Sequence, residues 1–196
     1  MCLNCNLSNL EPIDRTNVRL NVTRALSRLK SVFVTLDKEV AVEDMVAGRK
    51  KWNDFYSPMK PTTISPLAGA IEAYDSSREF EFQLQLGSKL YPEYPIRSHA
   101  ESFYQLRKTM GHKSNTLHSI DIDSYEYRNH KFIIGIDMER VLEAGFTGMN
   151  TKAGDILNIR FDHRSTVDTD YAHDTHAVLQ SDNILEIRDG GCSVLD

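Results

Sequence analysis

Basic runs, long apolar stretches and cysteines are all scarce in this chain, and each shortage narrows what it can be. Its 196 residues carry a net charge of −5, so the average surface field repels a polyanion. The densest basic cluster, Arg49-Lys50-Lys51, reads as a solvated loop, and no direct binding of nucleic acid is expected. No stretch approaches the roughly 20 apolar residues that a membrane helix requires. The N-terminus shows no basic segment followed by an apolar one, which predicts a chain that is neither secreted nor inserted in a membrane. On that reading the glycosylation patterns Asn6-Leu7-Ser8 and Asn21-Val22-Thr23 are coincidental.

Cysteine is limited to Cys2, Cys5 and Cys192, an odd number that points to reduced thiols. Cys2 and Cys5 form a C-x-x-C, but a zinc knuckle needs a second ligand pair at matching spacing and none lies near. The nucleophile elbow G-x-S-x-G, the phosphate loop G-x-x-x-x-G-K, the dinucleotide fingerprint G-x-G-x-x-G and the zinc motif H-E-x-x-H are all missing. The expectation is a protein that is not an enzyme and needs no cofactor.

What is present is β-like. Residues 1–16 are polar and read as an irregular lead-in, and residues 17–196 as a single domain. Val18, Leu20 and Val22 alternate with polar residues, and Ser31-Val32-Phe33-Val34-Thr35-Leu36 is β-branched and aromatic. Leu26 and Leu29 leave room for a helical turn between these two strands. Phe80-Glu81-Phe82-Gln83-Leu84-Gln85-Leu86 alternates strictly, the pattern of a strand with one face buried and one wet. Further strands are predicted around residues 131–136, 155–161, 177–179 and 184–187, with glycines marking the turns. One prominent helix is predicted at about 98–110, capped by Ser98 and Glu101, with Phe103, Leu106 and Met110 on one face beside Ala100, and ended by Gly111. Many short strands and one helix predict an all-β protein, a β-sandwich of jelly-roll type.

Chemistry-bearing residues are few. The metal alternative rests on His163, His173 and His176, but His173 and His176 are three apart, and a strand aims such positions to opposite faces. The other histidines are His99, His112, His118 and His130. His118, Asp121 and Asp123 suggest a cation or proton-transfer site, and equally a strand with Ile120 and Ile122 inward. Trp52, Phe55, Tyr56, Tyr91 and Tyr94 lie in or beside proline-containing connections, as plugs beneath long loops or as anchors at a subunit interface. The connections 40–70 and 162–176 are the expected places for subunit contacts.

Four stretches resemble, in order, the double jelly-roll major capsid proteins of polinton-like (Maverick, adintovirus-like) DNA viruses. They are Ala25-Leu26-Ser27-Arg28-Leu29-Lys30-Ser31-Val32-Phe33-Val34; Gln85-Leu86-Gly87-Ser88-Lys89-Leu90-Tyr91-Pro92 with the helix Ala100-Glu101-Ser102-Phe103-Tyr104; Gly145-Phe146-Thr147-Gly148 through Thr151-Lys152-Ala153-Gly154-Asp155; and Ile184-Leu185-Glu186-Ile187-Arg188-Asp189. They match the second, C-terminal barrel of such a protein, and 196 residues supply about one barrel. The resemblance implies a homotrimeric capsomer in a capsid shell, with further copies and other capsid proteins as partners. It implies a virion protein assembled in the host cytoplasm or nucleus, without cofactor or catalytic residues. Two readings compete with it. One is a metal-dependent oxygenase or cupin-like enzyme using the three histidines. The other is a carbohydrate- or protein-binding sandwich with an aromatic platform around Trp52.

Overall fold

A computed structural model describes residues 2–5, 17–38, 55, 57, 62–63, 72–73, 80–111, 120–139, 148–152, 156–163, 173–188 and 191–195. In chain order the elements are β1 (Cys2–Cys5), β2 (Asn17–Val22), β3 (Leu29–Lys38), β4 (Thr62–Thr63), β5 (Glu72–Ala73), β6 (Phe80–Leu86), β7 (Lys89–Ile96) and α1 (His99–Thr109). After these come α2 (Ser124–Asn129), β8 (Ile133–Asp137), β9 (Leu157–His163), β10 (His173–Ser181), β11 (Ile184–Arg188) and β12 (Gly191–Leu195). Eight strands form two four-stranded antiparallel sheets, in the orders β1-β10-β3-β8 and β2-β9-β6-β7. Numbered along the chain, those eight run 1-8-3-6 and 2-7-4-5, so most connections pass from one sheet to the other. The all-β sandwich expected from the alternation is what the chain forms. One boundary needs correcting: Cys2–Cys5, within the supposed irregular lead-in, is an edge strand paired with Ala177 to Gln180 of β10.

Period-two alternation builds the core. On β6, Phe80, Phe82, Leu84 and Leu86 are buried while the residues between them are half-exposed. They join Leu20 and Val22 of β2 and Leu157, Ile159 and Phe161 of β9 on one sheet. Facing them are Val32, Val34 and Leu36 of β3, Ile134 and Ile136 of β8, and Ala177 and Leu179 of β10. A one-residue slip would turn every one of these outward, so burial itself sets the register. The faces close to a void of about 10 Å³ among Leu20, Val34, Phe82, Ile134 and Phe161, room for no more than one water. At one end Phe80 stacks on Phe161 at 5.7 Å and meets Phe132 edge-on at 6.0 Å. Truncating Phe82 to Ala should cost about 3–5 kcal/mol.

The helix forms where the caps place it. Ser98 Oγ accepts from the Glu101 N–H at 3.2 Å, and Glu101 Oε2 accepts from the Arg97 N–H at 2.7 Å, one residue earlier than a standard capping box. Gly111, at φ +75°, follows the C-terminal turn. The buried face differs from the one expected: Ser102 and Leu106 are buried and Phe103 half-buried, while Met110 and Ala100 are exposed. Leu106 lies on Gly135 of β8, where a Cβ would stand 3.1 Å from Leu106 Cδ1 and 3.3 Å from Phe33 Cδ1. Phe33 sits between the inward Val32 and Val34, so α1 covers the side of its sheet that faces away from the core.

Two local readings are also corrected. Asp121 to Asp123 is not a strand; Asp123 caps α2, accepting from the Glu126 N–H at 2.7 Å. Residues 23–28 form an irregular connection instead of a helical turn. Thr151 holds it, its Oγ1 accepting from the Leu26 N–H at 2.7 Å, and Leu29 and Met149 exchange backbone bonds of 2.9 Å. Strand β7 forms despite Pro92 and Pro95 because it is an edge strand, where one row of N–H groups needs no partner.

Candidate functional site

The aromatic residues expected at an interface divide among different settings. Phe55 is half-buried and bridges to Lys131, its N–H donating to the His130 carbonyl at 2.9 Å and its carbonyl accepting from Phe132 at 3.0 Å. Tyr91 is half-buried, with its hydroxyl 3.9 Å from Met149 Sδ, and serves as a plug. Tyr94, by contrast, is 79% exposed on the edge strand. Trp52 and Tyr56 lie outside the described residues. Of the two connections expected to carry contacts, 40–70 lies mostly outside them, and 162–176 contains the end of β9 and the start of β10.

The histidine triplet is spread over both sheets. Position 163 pairs with Phe80 on one sheet, and positions 173 and 176 pair with Lys38 and Thr35 on the other. Among the described residues no three His, Cys, Asp or Glu side chains gather as a metal set. One pair escaped the sequence reading: Ser57 Oγ stands 2.6 Å from His99 Nε2. The imidazole meets Phe132 edge-on at 5.5 Å and Phe80 at 6.2 Å, so the pair closes the aromatic end of the core with a polar plug. No sequence signal links positions 57 and 99; only the fold brings them together.

Between β7, α1 and β8 runs a groove of about 300 Å³, lined by Tyr91, Glu93, Gln105, Lys108, Asp137, Glu139 and Met149. Behind it Lys30 bridges Asp182 at 2.7 Å and Glu139 at 3.2 Å. The hydrogen bond to Asp182 is the main reason the Lys30 ammonium is held above its ordinary pKa, with Glu139 adding to it against a smaller desolvation effect. These charges tie the connections after β8 and β10 together and keep the cation protonated.

The outward side of β2-β9-β6 is a polar ladder. Arg19 donates to both carboxylate oxygens of Asp162 at 2.6 and 3.1 Å, and Asn158 Nδ2 donates to Asn21 Oδ1 at 2.7 Å. Gln83 Nε2 donates to the Pro92 and Glu93 carbonyls at 3.2 and 3.3 Å, tying β6 to β7. Beyond the sandwich, β11 and β12 form a two-stranded hairpin of their own, with Ile187 76% exposed opposite the exposed Cys192. Two strands alone are marginal in water, so this hairpin adds little stability by itself. No helix among the described residues is long and apolar enough to cross a membrane. Compared with protein-family models, curated proteins and solved structures, the chain matches none of them.

Proposed function

We propose that this chain is a structural shell protein, equivalent to the second barrel of a double jelly-roll capsid protein, that acts by associating with copies of itself. The observation that carries the reading is the strand order. Eight strands running 1-8-3-6 and 2-7-4-5 in two antiparallel sheets support the jelly-roll order that the resemblance implies. The first helix between the fifth and sixth of those strands, α1, includes Ala100 to Tyr104 of the second resembling stretch, and its caps are formed. A shell needs no catalytic constellation: complementary surfaces bury area, and symmetry repeats each contact. The exposed Tyr94, Tyr104 and Ile187 are apolar anchors of the kind such contacts use. The oxygenase reading has less support, because its three histidines are divided between two sheets and two of them stand three apart on β10. Light scattering on a sizing column tests the proposal: a trimer or larger closed assembly supports it, and a monomer at every concentration and salt overturns it.

A further inference from the structure

Arg160, on β9, stands directly opposite Arg19 of β2 and opposite Gln83 of β6. Like charges placed opposite one another weaken a sheet. Asp162 relieves Arg19, and Gln83 is directed to two β7 carbonyls. Arg160 is half-buried, and among the described residues its side chain has no hydrogen-bond or ion-pair partner. An unpaired guanidinium on the outer face of a sheet asks for a carboxylate, and a protein segment carrying Asp or Glu supplies one.

The same chain carries such a segment. Glu93 is exposed on the edge strand β7 next to the exposed Tyr94, and among the described residues it has no ion-pair partner. An edge strand also presents backbone groups that no neighbour satisfies. We infer that the Arg160 face of one copy receives the β7 edge of a second copy, with the Glu93 carboxylate on the Arg160 guanidinium and Tyr94 as the adjoining anchor. Arg fits this task because its planar fork binds a carboxylate through two parallel hydrogen bonds. Both patches recur on every copy, so the contact repeats through any closed assembly. The inference rests on the self-association proposed above and names the surface that performs it.

A charge swap on the full chain tests it, read as dissociation constants by light scattering. R160E and E93R should each weaken self-association about tenfold or more, and the double variant R160E/E93R should recover most of the loss. R160Q, milder for the fold, should weaken it in the same direction with an unchanged circular dichroism spectrum. Wild-type-like association of R160E and R160Q, or a double variant no better than the singles, would overturn the contact while leaving the shell reading intact. A wild-type chain that never associates would overturn the shell reading itself.

Discussion

The Tyr127 hydroxyl stands 2.8 Å from Ser102 Oγ and 2.8 Å from the Ile133 carbonyl oxygen, and so joins both helices to β8. Its single proton goes to the carbonyl, which makes the fully buried Ser102 the donor to Tyr127. Tyr127→Phe leaves Ser102 buried without that acceptor and frees the Ile133 carbonyl. The expected loss is about 1–3 kcal/mol, measured as a lower urea midpoint with unchanged slope.

The same phenol responds to alkali. Burial, only partly opposed by the Ser102 hydrogen bond, pushes its pKa well above the ordinary tyrosine value. The folded state then holds its proton where the unfolded chain releases it, so the stability from this group is full below about pH 10 and falls as pH rises beyond. Spectrophotometric titration should show one tyrosine that ionises only as the protein unfolds, and Tyr127→Phe should remove it. Normal titration of every tyrosine in the folded protein would refute this.

Gly135 and Gly148 test two kinds of close approach. A Cβ at 135 meets Leu106 at its Cδ1 (3.1 Å) and its Cα (3.3 Å), whereas one at 148 stands only 2.9 Å from the Arg28 backbone. Gly135→Ala should cost about 1–3 kcal/mol, and Leu106→Ala should relieve part of that added cost in a double-mutant cycle. Gly148→Ala should cost more than Gly135→Ala, because its Cβ stands closer, and against main chain alone. Equal costs in thermal melts would count against this placement of the 148–152 segment.

Lys30 gives an electrostatic test. Its pKa is raised, so its contribution is present below the ordinary lysine value and is lost as pH rises through the higher folded value. The ammonium is partly exposed, and solvent screening holds the worth of the bridge to about 1 kcal/mol. Lys30→Gln should lower stability by that amount at neutral pH, with the difference shrinking in alkali.

Where a residue's fate depends on its immediate neighbours, the sequence was easy to read. The alternation of Phe80 to Leu86 identifies a strand because each buried residue is two from the next, and Ser98 with Glu101 marks a helix start because capping is local. Pro92 and Pro95 suit strand β7 only because it lies at a sheet edge, and that position is set by long-range pairing the local sequence does not display. At Asp123 two local signals compete: alternation with Ile120 and Ile122 suggests a strand, and Glu126 three residues on suggests the cap that forms. Met110 shares the helical spacing of Leu106, but Leu106 packs on Gly135 of β8 while Met110 stays exposed, so apolar spacing alone misplaces the buried face. The proposed site was not legible at all. Arg160 is an ordinary arginine in an alternating strand until β2 sets Arg19 opposite it and β6 sets Gln83 there, and both placements are long-range register.

The central claim, that the chain works by associating with itself, is tested most directly by the native mass of the full chain in solution across concentration and salt. A trimer or larger closed assembly, weakening as salt screens its charged contacts, is the predicted result. A single species of 22.4 kDa under every condition would contradict it.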